Sequence, residues 1–258
     1  MTYYTGINIM LPTRGRPDRL KKFLVSAIET SSLYIKELTH DPNKKLVFTL
    51  LVDSDDDTAS KLMVDTSTII AGLYASGNIQ LITNYEVGKP HLGKFFNRLY
   101  EETQWKDPSY LVTMVGDDMV FLTKGWDKAI VDAANQSQGN AIIYCDDDYC
   151  QHENLCVNLF VSRDLVNKTG KPFMCPLFPA DFIDSVWMDV GRKAGLLRYL
   201  GNYKIKHEHN GNLPVEQRDE TFTRLRAAYN TISQQDIASV NVYVGEILSS
   251  LKVNGVVS

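Results

Sequence analysis

Seven consecutive uncharged residues, 46–52 (LVFTLLV), limit the fold of this chain more than any other stretch. The run has the length of a strand and offers no polar face to water. Strands of that kind belong to parallel sheets covered on both sides by helices. Two further apolar runs, 7–11 (INIML) and 111–115 (LVTMV), repeat the pattern. Apolar residues at helical spacing follow each run. Leu20, Phe23, Leu24, Ala27 and Ile28 follow the first, and a helix from Thr58 through Met63 and Ile69 follows the second. The third leads through 119–121 and a Thr-Lys-Gly turn to Trp126, which opens a helix through Ala134. More strands are expected at 78–83, 141–144, 158–162 and 203–209, with a helix carrying Trp187, Val190, Ala194 and Leu197. Gly195 stands where the chain can change direction. Strand–helix alternation of this kind predicts an α/β fold around one mostly parallel sheet, whose ligand edge lies beyond the carboxyl ends of the strands.

Charge collects at that edge. The first strand runs into Pro12-Thr13-Arg14-Gly15-Arg16-Pro17, and Pro17 suits a first helical turn. Arg14 and Arg16 then lie on a strand-to-helix loop, where guanidinium groups can fork onto phosphate or contact a base. The second strand ends in Asp53-Ser54-Asp55-Asp56-Asp57, more carboxylates than helix capping requires, so Asp53 or Asp55 can accept hydrogen bonds from a base or ribose. A glycine-containing loop before Lys94 and Asn97 suggests a phosphate or nucleoside cradle, although no P-loop pattern is present. Asp117 and Asp118 follow Gly116 at the tip of the strand over 111–115. Adjacent anions repel, and a divalent cation carrying substrate phosphates is the natural counter-charge. The acidic run 146–148 competes for that role. His207 and His209 fall on one face of the 203–209 strand.

Composition adds bounds. A chain of 258 residues can bury one large core, with helices at 220–228 and 236–251 forming a tail. A net charge of −4 gives no general attraction to nucleic acid or anionic membrane. No segment has the length of a bilayer span, the first ten residues lack signal-peptide character, and the four cysteines form no CxxC pair. A cytoplasmic protein with reduced thiols is expected.

With these residues in view, the chain resembles a GT-A fold nucleotide-sugar glycosyltransferase and is similar to the family 2 inverting group, over residues 7–209. The resemblance rests on Pro12-Thr13-Arg14 after the first strand, on Asp53 after the second, and on the acidic tip of the fourth. There Gly116 stands at the first position of the family's DxD motif, Asp118 at the second and Asp117 between them. It implies a single GT-A (Rossmann-like) domain over 1–209, with a nucleotide-binding half over about 1–120 and an acceptor half over about 121–209. Residues 210–258 would form a helical extension packed on it. It further implies a nucleotide-sugar donor, expected to be a UDP-sugar, contacted by Pro12, Thr13, Arg14, Arg16, Asp53, Asp55, Lys94, Asn97 and Asp117. Mn²⁺ or Mg²⁺ would be held by Asp118 with His209 or His207. A Glu-Asp pair before a helix carries the family's catalytic base. Ile183-Asp184 matches its spacing to Gly195, with Ile for Glu, and makes Asp184 the base with Asp181 in reserve. A helix N-cap alone would also account for Asp184.

The expected reaction is inverting transfer of a sugar to an acceptor hydroxyl on a glycan, protein, lipid or modified DNA. The basic residues Arg192, Lys193, Arg198, Lys204 and Lys206 allow a polyanionic acceptor or form a solvated face. Two other readings compete. One is a non-catalytic sugar-nucleotide-binding or scaffold protein of this fold, suggested by Gly116 and Ile183. The other is a phosphatase of the haloacid dehalogenase type, suggested by Asp53-Ser54-Asp55, although Phe121 stands where its later motif needs Asp. A sugar nucleotidylyltransferase would need a glycine pair after the first strand, which is missing.

Overall fold

The computed structural model describes residues 2–33, 46–87, 91–149, 151–177, 183–209, 214, 216, 218–230 and 234–257. In chain order the strands are β1 (Gly6–Thr13), β2 (Leu46–Asp53), β3 (Ile79–Asn84), β4 (Tyr110–Met114), β5 (Met119–Phe121), β6 (Ile142–Asp146), β7 (Leu159–Ser162) and β8 (Leu197–His207). The helices are α1 (Pro17–Glu29), α2 (Thr58–Met63), α3 (Thr68–Ala75), α4 (Leu92–Glu102), α5 (Trp126–Gln136), α6 (Arg163–Lys168), α7 (Ile183–Ala194), α8 (Glu220–Tyr229) and α9 (Gln234–Val253). One eight-stranded sheet runs β3-β2-β1-β4-β7-β6-β8-β5. Strands β1 to β4, β6 and β8 share a direction, while β7 and β5 run against their neighbours. The carboxyl ends of β1, β2 and β4 therefore lie side by side.

Period-two alternation explains the two cores. Ile7, Ile9 and Leu11 of β1, with Phe48, Leu50 and Val52 of β2, face α1, α3 and α5. Met10, Leu51, Val112 and Met114 face the other way, toward Phe96 and Leu99 of α4 and Trp187 of α7. A strand buried on both faces needs both sets, as the run 46–52 required. Helix α9 lays Tyr243, Val244, Ile247 and Leu251 into this second core. Three buried polar residues close on one another between the layers: Asn8 Nδ2 donates to Thr103 Oγ1 at 2.9 Å, and Thr49 Oγ1 donates to Asn8 Oδ1 at 2.9 Å. Each satisfies another, so none is left with an uncompensated polar atom.

Trp126 is the largest side chain fully enclosed. Its ring lies 4.3 Å from Phe121 and 5.9 Å from Phe160, and its indole N–H donates to the Ala27 carbonyl at 3.3 Å. Next to it the Asp127 carboxylate, also fully buried, accepts the backbone N–H of Ser32 at 2.9 Å and of Leu33 at 2.7 Å. This joins the end of α1 to the start of α5. Trp126→Ala should lower unfolding stability by about 3–5 kcal/mol, through lost contacts and a cavity. Urea denaturation followed by circular dichroism measures the loss, and a change below about 1 kcal/mol would show that this packing is not central.

Several local expectations change. The single helix expected after β2 is two, because Asp65 accepts the Ser67 N–H at 2.7 Å and Ser67 caps α3 by accepting from Ile70 at 3.4 Å. The strand expected at 203–209 begins at Leu197 and ends at His207, so His209 lies just past it. Helix α6 was not expected at all; Ser162 ends β7 and caps α6 through the Leu165 N–H at 2.9 Å. Gly195, with φ +68°, ends α7, so Leu197, expected on this helix, instead begins β8.

Candidate active site

The strand tips open into a cleft of about 250 Å³. Pro12, Thr13, Arg14, Arg16, Asp53, Gly116, Asp117, Asp118, Asp184, His207 and His209 all line it, drawn from five separate stretches of the chain. Leu51, Val87, Leu92, Phe95, Phe96 and Met114 make its apolar wall. A concave site with an apolar wall and a few converging charged groups is the usual form of a small-ligand pocket.

The β1–α1 loop is built first. Gly15 has φ +65° and donates its N–H to Asp56 Oδ2 at 2.8 Å, which fixes the turn between Arg14 and Arg16. Arg14 pairs with Asp53 Oδ2 at 2.8 Å and also with Asp55. The other oxygen of Asp53 accepts from Asn84 Nδ2 at 2.6 Å. Asp56 starts α2 by accepting the Thr58 N–H at 3.1 Å, and Asp57 pairs with Lys61 at 2.9 Å on the surface. The acidic run after β2 is thus divided between the cleft and a helix start.

The adjacent aspartates at the end of β4 diverge. Asp117 turns inward, 5% exposed, and accepts from Thr13 Oγ1 at 2.7 Å and Arg16 Nη1 at 2.8 Å. Burial raises its pKa above the ordinary carboxylate value against the pull of Arg16, and the Asp118 charge adds to this. Asp118 turns toward β8, and its Oδ1 lies 3.5 Å from His207 Nε2. Burial opposes ionisation there, but the hydrogen bond and charge of His207 outweigh it and hold the Asp118 pKa below the ordinary value. For His207, burial works downward and Asp118 prevails, raising its pKa, with Asp147 and Asp184 adding smaller contributions. A Cβ at position 116 would stand 2.5 Å from Asp118 Oδ1, so glycine is what lets this carboxylate fold back over the turn.

β5 and β8 bring the histidines. Met119 pairs with His207 in the sheet, Glu208 N–H donates to the Asp118 carbonyl at 2.7 Å, and His207 N–H to the Asp147 carbonyl at 2.9 Å. The His207 and His209 rings lie 5.0 Å apart, and His209 meets Phe222 of α8 edge-on at 5.5 Å. Asp184 stands in the first turn of α7, and its Oδ1 accepts the Ser185 N–H at 2.8 Å.

Other expected residues lie elsewhere. Lys94 and Asn97 are not among the cleft residues: Lys94 is exposed, and Asn97 exchanges hydrogen bonds of 2.9 and 2.7 Å with the Met174 backbone. Asp55 meets the cleft through Arg14. Asp181 falls outside the described residues, as does Cys150. Trp187 is a core residue whose indole donates to the Phe173 carbonyl at 2.9 Å. The expected list missed Phe222 and Arg226, which α8 brings to the cleft. Their i, i+4 spacing puts them on one face of α8, but nothing in the sequence places that face at the cleft.

Asp118 and His207 suit a divalent cation. Two donors bound to one ion at about 2.1 Å stand about 3–3.5 Å apart, close to the separation found. The carboxylate suits Mg²⁺ or Mn²⁺ and the imidazole a first-row ion, while among the described residues Asp118, His207 and His209 do not bring three ligand atoms within 4.8 Å of one another. A second group, Asp146, Asp147 and His152, has ligand atoms within 4.8 Å of one another. There Asp147 accepts the N–H of Gln151 at 3.1 Å and of His152 at 2.8 Å, and Asp146 accepts the Tyr199 hydroxyl at 2.7 Å. These bonds hold the loop after β6 against β8.

The structure has a mixed α/β, Rossmann-like fold consistent with GT-A. It is similar to the crystal structure of S. aureus TarS, with a TM-score of 0.55 and 10% identity over 90% of this chain and 44% of that one. The chain thus spans less than half the length of TarS. No protein-family model and no curated protein sequence matches it. Among the described residues, no helix is long and apolar enough to cross a membrane.

Proposed function

We propose that the protein is a divalent-metal-dependent glycosyltransferase that moves a hexosyl or pentosyl group from a nucleotide diphosphate sugar to an acceptor hydroxyl with inversion. The observation that carries this reading is that Asp118, His207 and Asp184 line one cleft together with the 12–16 loop and Asp53. The glycosyltransferase-like fold shared with TarS, a glycosyltransferase, agrees with it.

In this reading the apolar wall and Asp53 receive the nucleoside, and Arg14 and Asn84, donating to one oxygen each, keep the Asp53 carboxylate in one orientation. Asp118, with His207 or His209, would hold Mn²⁺ or Mg²⁺, which when bound neutralises charge on a departing diphosphate. Asp184 accepts the proton of the acceptor hydroxyl as that oxygen bonds to the anomeric carbon. The bond from that carbon to the diphosphate oxygen breaks in the same step, and the diphosphate leaves with the electron pair. Asp181 remains the alternative base. The nucleotide-binding half (1–120), acceptor half (121–209) and C-terminal extension (210–258) belong to the same proposal, as do a UDP-sugar donor and a cytoplasmic setting. Among the basic residues that suggested a polyanionic acceptor, Lys204 pairs with Asp148 and Arg192 with Asp189 at 3.6 Å.

Donor hydrolysis tests the proposal. Incubated with a panel of nucleotide sugars and Mn²⁺, the protein should release a nucleoside diphosphate from one of them, and EDTA should stop the release. Inorganic phosphate released from a monoester would instead make it a phosphatase. Phe121, standing where that family's later motif needs Asp, weighs against that. Binding without turnover would mark a scaffold that kept the site.

A further inference from the structure

The second aspartate on Arg16 comes from the far end of the chain. Arg16 Nη1 donates to Asp117 at 2.8 Å, and Nη2 donates to Asp219 Oδ1 at 2.6 Å, across 203 positions of sequence. We propose that Asp219 stands on Arg16 where a phosphate group of the donor binds, so that donor entry exchanges one anion for the other and frees helix α8 from the cleft. The inference rests on reading the cleft as a diphosphate site.

Three observations carry it. The Arg16 side chain is 11% exposed, and its Nε is buried without a hydrogen-bond partner. Nε and Nη2 form one edge of the guanidinium, and Asp219 engages the Nη2 half of that edge. A phosphate can take both N–H groups at once, the bidentate geometry guanidinium favours. Second, the two carboxylates on Arg16 are unequal. Asp117 is enclosed and also held by Thr13, whereas the Asp219 side chain is 32% exposed. Of the two, Asp219 is the more exposed and is carried at the start of helix α8, toward the far end of the chain. Third, what leaves with it is a cover. Asp219 Oδ1 also accepts the Phe222 N–H at 2.8 Å and so begins α8, the helix that sets Phe222 against His209 and Arg226 along the cleft. The bond to Arg16 and the start of α8 share one oxygen atom.

Asp219→Asn isolates the charge, because asparagine caps helices as well as aspartate does. Inorganic pyrophosphate with Mn²⁺, titrated calorimetrically into the full chain, is the probe. The variant should bind it at least about fivefold more tightly than the wild type, the lower end of ordinary coupling between sites. In wild type, pyrophosphate should accelerate backbone hydrogen exchange over 218–230; in the variant that segment should exchange at the faster rate without ligand. Arg16→Gln should lose pyrophosphate binding. Equal or weaker binding by Asp219→Asn, or exchange over 218–230 that pyrophosphate leaves unmoved, overturns the proposal. If binding needs Asp118 but ignores Asp219, the exchange is wrong and the transferase reading stands. If no form of the protein binds pyrophosphate, both fall.

Discussion

Asp118→Asn should lower metal-dependent turnover by roughly a thousandfold or more, the equivalent of the several kcal/mol a metal contributes to a transition state. The residue stands at a strand tip and its side chain is mostly covered, yet folding should survive the change. Relief of the repulsion with Asp117 offsets only part of what is lost, because His207 holds the Asp118 pKa below the ordinary value and its charge is therefore net stabilising. The thermal midpoint should fall slightly. A second reading comes from His207, whose pKa is raised mainly by Asp118 against the downward effect of burial. In metal-free protein, an NMR titration should find the His207 pKa lower in the variant than in wild type. Full turnover in the variant would remove Asp118 from the site. Lost turnover with an unmoved His207 would mean that the contact between the two side chains is not formed in solution.

Asp184→Asn should separate binding from chemistry. A general base contributes about 10²- to 10⁴-fold, so the transfer rate should fall within that range. Asparagine keeps the hydrogen bond to the Ser185 N–H and the helix start, so α7 should hold its place. Donor affinity, measured by calorimetry with the intact nucleotide sugar, should change by less than about twofold. A donor affinity that fell as far as the rate would make Asp184 a binding residue and return the base to Asp181.

Most of the sheet was legible because burial on two faces leaves a mark that survives without tertiary information. The runs at 7–11, 46–52 and 111–115 became β1, β2 and β4, each within two residues at either end. Direction was not legible. Nothing in LFVS says that β7 lies antiparallel to both β4 and β6, because that depends on what the chain does between them. Short-range hydrogen bonds decided other cases: Ser67 divided one expected helix in two, and Ser162 started α6 where no helix was expected.

At the site, strand ends could be read and side-chain directions could not. Asp117 and Asp118 lie in the turn after β4, where strand alternation no longer fixes which way each side chain points. Only the fold shows that Asp117 meets Thr13 and Arg16 while Asp118 meets His207. Lys94 and Asn97 sit at a helix start that resembles a cradle, but the Met174 backbone claims Asn97. Asp219, Phe222 and Arg226 carried no motif at all. Their presence at the cleft follows from where α8 packs, and a sequence does not record that.

The most direct test is a crystal of the full chain grown with Mn²⁺ and UDP, with data collected at the manganese absorption edge. The anomalous peak should lie within bonding distance, about 2.1 Å, of an Asp118 carboxylate oxygen, with the diphosphate on its open side. A peak among Asp146, Asp147 and His152 instead, with no ion beside Asp118, would contradict the account.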